Sequence, residues 1–314
     1  VAKSSGLNTR RALARATAAA LTAALVATGA SSAVAADEPV PSASKVPFDV
    51  KASGAEKYNA GALPGDAPVN ALYGVDRDGT LWGYPPTIET DDDGIDSAWY
   101  SGYGWEWARF MTQVDHDGDG SSDGLWHVTD GGQLYYAQWD TEGDHKFVGN
   151  GWNIYNQLFS GSNLGGAAAD DLIARDKSGV LWLYLGYGTG TLTKRYKVGG
   201  GWNAYTHITG KGDLTGDGKA DIVAKDGSGV LWLYQGTGNY KAPFKSRTRI
   251  GGGWNTYNNI VSVGDIDIDG ITDLIARDKN GALYLYKGTG YASSPYQSRV
   301  KIGNGGWNAY RLMF

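Results

Sequence analysis

From Tyr73 onward the apolar residues of this 314-residue chain fall in short runs divided by glycine, and no segment sustains a 3.6-residue period. Runs such as "ADIVAKD" and "VLWLYQG" have the length and the β-branched and aromatic content of strands, and the glycine-rich stretches between them read as turns. The expected fold class is therefore all-β.

The runs repeat. Gly-Trp returns at Trp105, Trp152, Trp202, Trp254 and Trp307, at intervals of 47, 50, 52 and 53 residues. Between these landmarks the order is constant: a "WNAYTHI" type run, an acidic loop, "ADIVAKD", a turn, "VLWLYQG", a variable loop and "SRTRIGGGW". Four strands in a unit of about fifty residues predict a propeller blade, and five landmarks predict a five-bladed β-propeller of four-stranded antiparallel blades. An open β-solenoid is the alternative. "NALYGVD" (70–76) and "TLWGYPP" (80–86) lack the leading strand of their unit, whereas the C-terminal "WNAYRLMF" is a leading strand with nothing after it. The ring is expected to close by the C-terminal strand joining the N-terminal blade, which removes open sheet edges. The expected blades are 69–103 with 308–314, 107–150, 154–200, 204–252 and 256–305.

Charge changes the picture in the acidic loops. "GDIDIDGITD" places Asp265, Asp267, Asp269 and Asp273 in a D-x-D-x-D-G-x-x-D pattern. "DHDGDGSSD" places Asp115, Asp117, Asp119 and Asp123 identically, and "DLTGDGKAD" places Asp213, Thr215, Asp217 and Asp221. Calcium takes six to eight hard oxygens, which alternate side chains and a closing carboxylate can wrap around one point. One such loop could be only a solvated acidic turn, but three at one register predict about three structural calcium ions. The corresponding "NLGGAAADD" keeps Asp171 but has Asn163, Gly165 and Ala167 in place of the other acids, so that unit is expected to be metal-free.

Residues 1–36 carry Lys3, Arg10, Arg11, Arg15 and no acid, followed by an alanine-rich apolar stretch and "AVA". This reads as an export signal, with Arg10-Arg11 leaving Sec and twin-arginine routes both open, and its apolar part is too short for membrane insertion. Residues 37–65 read as a flexible linker rich in Pro, Ala, Ser and Lys, and 66–314 as the folded part. Removal of the signal would move the net charge from −5 to −9, a poor balance for nucleic acid or anionic membranes. With no cysteine, a secreted chain must be held by core, topology or metal.

Two resemblances follow from these residues. The Asp loops with "DLIARD" and "DIVAKD" resemble the FG-GAP/VCBS repeats of integrin-like propellers, whose loop between the first two strands of a blade binds calcium. "LYGVDRDGTLWGYPPT" and "RVKIGNGGWNAYRLMF" resemble blade segments of the tachylectin-type five-bladed propeller lectins, a family without such metal loops. The second resemblance implies several equivalent pockets between blades that bind N-acetylated sugars of cell-surface glycans. The residues agree: Trp152-Asn153, Trp202-Asn203, Trp254-Asn255 and Trp307-Asn308 follow flexible glycines, an indole stacks on a pyranose face, and an amide serves hydroxyl or acetamido groups. A fixed Trp per blade suits inter-blade packing equally well. Arg195, Arg247 and Arg299 would cap the pocket or bridge to Asp176, Asp226 and Asp278. A protein-protein adhesion or assembly propeller, acting within a larger secreted or cell-surface assembly, is the other reading. A glycan-active enzyme is disfavoured because the clustered acids suit metal spacing and His116, His127, His145 and His207 occupy unrelated places in their units. The expectation is a protein without catalytic residues.

Overall fold

The computed structural model describes residues 67–86, 94–139, 145–167 and 169–314; the expected export signal and the linker lie outside them. The described chain is five four-stranded antiparallel sheets arranged as a ring, with only single turns of 3-10 helix. Blade one combines β20 (Tyr310–Met313) with β1 (Leu72–Asp76), β2 (Leu81–Tyr84) and β3 (Trp99–Gly102). Blade two is β4 (Ala108–Val114), β5 (Gly124–Thr129), β6 (Leu134–Gln138) and β7 (His145–Gly149), and blade three is β8 (Tyr155–Ser160), β9 (Leu172–Asp176), β10 (Leu181–Tyr184) and β11 (Tyr196–Gly199). Blade four is β12 (Tyr205–Thr209), β13 (Ile222–Asp226), β14 (Leu231–Tyr234) and β15 (Thr248–Gly251); blade five is β16 (Tyr257–Val261), β17 (Leu274–Asp278), β18 (Leu283–Tyr286) and β19 (Val300–Gly303). The five-bladed reading and its closure hold: β20 pairs antiparallel with β1, Gly74 opposite Met313.

Strands with both faces covered explain the apolar runs. In "LWLY" of β10, Leu181 and Leu183 pack toward blade four with Trp202 and Tyr205, while Trp182 and Tyr184 pack toward blade two with Val128 and Trp126. Period-2 alternation thus divides one strand between two inter-blade cores, and the hydrophobic interior is five wedges between sheets.

The leading strands β20, β4, β8, β12 and β16 line a central cavity of about 220 Å³. Cationic side chains tie each blade to the next. Arg175 of β9 donates Nη1 to the carbonyls of Trp202 (3.0 Å) and Tyr205 (2.6 Å), Lys225 donates to Tyr257 O (3.0 Å), and Arg277 donates to Trp307 O (2.8 Å) and Tyr310 O (2.9 Å). In blade one Val75 stands where these cations stand, and Arg311 of β20 takes over, donating to the carbonyls of Ala108 and Trp105.

Candidate functional site

The second turn of each blade fixes the site's frame. In blade three Asp176 accepts the Ser178 and Val180 N–H groups on Oδ1 and the Trp182 indole N–H on Oδ2. Burial opposes ionisation here, but a bond from the Ser178 hydroxyl together with these bonds holds the carboxyl down to about 2. Gly179, at φ 83°, closes the turn, and a Cβ there would lie 2.8 Å from Asn203 Cγ. The next blade's entry therefore sits directly on this turn. Trp202 N–H bonds Gly179 O at 2.9 Å, and the Asn203 amide donates to Lys177 O at 3.2 Å. Asn255 donates to Gly227 O and Asn308 to Lys279 O in the same manner.

The tryptophan and asparagine of each pair thus part company. Asn153, Asn203, Asn255 and Asn308 pack on glycine of the preceding blade's turn, and the amides of the last three clasp it. Trp152, Trp202, Trp254 and Trp307 turn inward and are buried, each against two tyrosines of the blade it enters. Trp152 lies 4.7 Å from Tyr184 and 5.5 Å from Tyr155; Trp202 lies 4.7 Å from Tyr234 and 5.4 Å from Tyr205. Trp254 lies 4.6 Å from Tyr286 and 5.5 Å from Tyr257, and Trp307 lies 4.5 Å from Tyr84 and 5.5 Å from Tyr310. Within each set the tyrosine hydroxyls bond each other: Tyr155 with Tyr184, Tyr205 with Tyr234, Tyr257 with Tyr286 and Tyr84 with Tyr310.

Between blades two and three this constellation lines a cavity of about 310 Å³, bounded by Val148 and Asn150 on one side and by Trp152, Tyr155, Tyr184 and Arg195 on the other. Asn153 does not line it. The arginines act as caps. Arg195 donates to Tyr155 Oη at 2.9 Å and lies 4.0 Å over the Trp182 ring; Arg247 donates to Tyr205 Oη and lies 4.0 Å over Trp232; Arg299 donates to Tyr257 Oη and lies 4.3 Å over Tyr284. Burial and the hydroxyl pairing push the Tyr184, Tyr234 and Tyr286 phenols up, so they remain neutral hydrogen-bonding groups. The box offers aromatic faces, hydroxyls and a guanidinium.

Two blades depart from this pattern. In blade one Ala98 stands at the arginine position, leaving Trp307, Tyr310 and Tyr84 without that cation. In blade two both tyrosines become alanine, Ala108 and Ala137, and histidines fill the space. His145 occupies the arginine position and stacks on Trp105 at 5.6 Å, while His127 stacks on Tyr135 at 5.4 Å, its Nε2 2.9 Å from His145 Nδ1. Trp105 is fully buried. Burial, and then His145, drive His127 well below the usual histidine range.

The acidic loops join the first and second strands of blades two, four and five. Carboxylate oxygens of Asp115, Asp117 and Asp123 lie within 4.8 Å of one another, as do those of Asp265, Asp267 and Asp269. Asp119 and Asp273 stand outside these groups. Asp273 accepts the N–H groups of Ile266 (2.9 Å) and Gly288 (2.7 Å), and Asp119 accepts from Ser121. In the remaining loop Asp213, Asp217 and Asp221 do not converge so closely. Asp213 accepts from Thr215, Gly216 and Gly218, Asp221 accepts from Leu214 and Gly236, and Lys245 pairs with Asp217 at 3.1 Å. In blade three Asp171 alone does the work of the closing acid, accepting from Leu164, Gly165 and Gly186.

The donor sets of the two converging loops suit a hard cation. Burial pushes Asp115 up to about 6, aided by the neighbouring Asp170, and Asp265 up to about 7, aided by Asp269 and Asp267 against a Gly270 N–H. Asp267 Oδ1 is buried with no hydrogen-bond partner, while its Oδ2 meets Lys287 at 3.2 Å.

Residues 213–276, from the blade-four loop into β17, match the FG-GAP-like repeat model, well under half of the chain. No curated protein matches the chain. Among solved structures it is similar to the BP39L lectin from Burkholderia pseudomallei, at 12% identity over 74% of this chain and 69% of that one, with a TM-score of 0.46. An arginine-to-alanine triple mutant of AofleA from Arthrobotrys oligospora is similar at 9% identity over 76% and 73%, with a TM-score of 0.44. Prp20p from Saccharomyces cerevisiae is similar at 12% identity over 72% of this chain and 59% of that one, with a TM-score of 0.36.

Proposed function

We propose that this chain is a secreted, calcium-stabilised carbohydrate-binding propeller that engages N-acetylated sugars of surface glycans through pockets between its blades. The observation that supports this most is the recurrence of the Trp-Tyr-Tyr box at four blade interfaces, three of them with arginine, and the cavity that one of them lines. A pyranose has an apolar face for the aromatic wall and hydroxyls for the tyrosines, guanidinium and indole N–H. Several shallow sites on one rigid ring gain by effective concentration on a surface dense in the same glycan. The reading assigns the pocket to the Trp, Tyr and Arg side chains and the Asn amides to the seam between blades. It assigns no catalytic residue, and no insertion into a membrane; among the described residues no helix is long and apolar enough to cross one.

Calcium would be held by Asp115, Asp117 and Asp123 and by Asp265, Asp267 and Asp269, with Asp119 and Asp273 nearby and the Asp213, Thr215, Asp217 and Asp221 loop as the weakest of three. When bound, it would neutralise carboxylates that the fold crowds together. The chain itself supplies the scaffold: Asp115, Asp213 and Asp265 already shape their loops by accepting backbone N–H groups.

A glycan array followed by titration with N-acetylglucosamine tests the reading. Sugar-specific retention with millimolar-range single-site affinity is expected. Silence across the array, with a protein partner captured by the folded ring instead, would replace it with the adhesion reading.

A further inference from the structure

We infer that the pockets of blades three, four and five select a sugar bearing an acidic group, a carboxylate or a sulfate ester. This rests on the carbohydrate-binding reading and narrows its substrate class.

The inference begins with the charge around Arg195, Arg247 and Arg299. Each guanidinium lies over an aromatic ring and gives Nη1 to a tyrosine hydroxyl. Among the described residues none of the three forms an ion pair with a carboxylate. The sequence offered Asp176, Asp226 and Asp278 as partners, but their oxygens are hydrogen-bonded to their own turns and rings, and Arg247 acts on Asp226 only at longer range. Asp226 accepts Ser228 and Val230 N–H on Oδ1 and the Trp232 indole on Oδ2, and the other two repeat this arrangement with Trp182 and Tyr284.

A guanidinium presents five N–H donors in a planar fork, and its engagement with the tyrosine pair leaves the rest of them for a ligand. Among the described residues the cavity at Arg195 has no acidic side chain in its lining, and the one formal charge there is positive. Its walls are aromatic and aliphatic with Asn150 and Thr193 among them, and Arg195 itself faces solvent, so a charge-assisted bond there gains from the geometry of the fork and stays open to screening by salt. A neutral sugar would satisfy the fork with ordinary hydrogen bonds and form no ion pair, whereas a carboxylate matches it bidentately and a sulfate ester offers the same oxygens in a tetrahedron. Stacking on Trp182, Trp232 or Tyr284 and the tyrosine bond hold the fork in place before the ligand arrives, which lowers the ordering cost.

The ring carries its own comparison. Ala98 leaves the blade-one box without the cation, and the blade-two box is filled by His127 and His145. Acid selection is therefore assigned to three interfaces of the five, with the Trp307 box available to a neutral sugar.

Calorimetric or NMR titration of the whole protein with matched pairs tests this: N-acetylglucosamine against its 6-sulfate, and glucose against glucuronic acid. The acidic member is expected to bind on the order of tenfold more tightly at low salt, with an advantage that shrinks as ionic strength rises. In the triple variant Arg195→Gln, Arg247→Gln, Arg299→Gln the acid-to-neutral affinity ratio should fall to about one, and the corresponding triple Arg→Lys variant should keep the salt-sensitive part of the preference. Preference for carboxylate over sulfate, or the reverse, names the source of the acid. Equal affinity of both members in the wild-type protein would overturn the inference while leaving carbohydrate binding intact. Failure of both members to bind, in protein whose melting is cooperative, would remove the carbohydrate reading and this one with it.

Discussion

Lys211, in the loop after β12, is buried with its ammonium against the carboxylate of Asp170 in the neighbouring blade three, their side chains 4% and 6% exposed. The lysine also donates to Gln113 O of blade two at 3.2 Å, and Asp170 accepts from Ser160 Oγ and Asp115 N–H. One ion pair therefore joins three blades. Replacing Lys211 by Met leaves a buried carboxylate uncompensated and is expected to cost about 3–5 kcal/mol by urea denaturation. Lys211→Met with Asp170→Leu should recover a large part of that loss, and a single variant as stable as wild type would show that the pair is solvated.

Calcium and pH should act on the same carboxylates. Burial raises Asp273 to about 8, Asp265 to about 7 and Asp221 and Asp115 to about 6, all above the unfolded range for aspartate. Folding then favours the protonated forms, so in EDTA the stability they contribute is complete below about pH 4 and is lost as pH rises through about 6 to 8. Millimolar calcium, which binds the ionised form, should abolish that decline and raise the melting temperature near pH 7.5. A metal-loaded protein whose melting curve ignores EDTA at that pH would refute the calcium assignment.

Blade three provides a contrast within the same chain. Burial pushes Asp171 up to about 7 against three backbone N–H bonds, and the acids that would complete a metal loop are absent there. Native mass spectrometry should count up to three calcium ions, with the 213–221 loop losing its ion first, and the remaining pH dependence in saturating calcium should diminish in Asp171→Asn. An ion located at residues 163–171 would contradict the spacing argument.

Seam and pocket residues should separate experimentally. Asn255→Ala removes one hydrogen bond across the seam, at a cost of about 1 kcal/mol, and should leave sugar affinity per site unchanged. Trp254→Ala should cost on the order of 3–5 kcal/mol, since its indole is buried against Tyr257 and Tyr286. The discriminating substitution is Tyr257→Phe, which keeps the packing and removes the hydroxyl shared by Arg299 and Tyr286; it should weaken sugar binding at that interface more than it lowers the melting temperature. Chemical-shift mapping with sugar resolves the individual sites.

The architecture was legible because each blade repeats the same local solution: Trp152 and its counterparts mark the entries, and runs such as "LWLY" must be covered on both faces. The acidic loops were equally plain, as their side-chain register is written in consecutive residues. The aromatic box was not. Tyr155 and Tyr184 belong to runs that already made sense as strands, and nothing in their spacing of 29 residues says that their hydroxyls meet. The choice between cap and salt bridge for Arg195 depended on Asp176 spending its oxygens on Trp182 and its own turn. The amides next to the tryptophans pointed to a ligand in the sequence, yet the backbone places them on the preceding blade's glycine. In blade two, Ala108 and Ala137 shrink together with the arrival of His127, a compensation visible only when the three side chains share a volume.

The pairing of β20 with β1 also governs how the ring can come into being. Blades two to five can dock on one another as their strands emerge, since the wedges between them are built from units adjacent in sequence. Gly74 and Met313, in contrast, must find each other across almost the whole folded chain, and loop-closure entropy makes such a contact slow to form. Until it forms, blade one lacks its innermost strand, the wedge containing Tyr73 and Phe314 stays open to water, and the edge of β1 is a template for another chain's strand. Closure is thus the committing event of folding and the step most exposed to strand exchange between molecules, a hazard set by topology rather than by the composition of any blade.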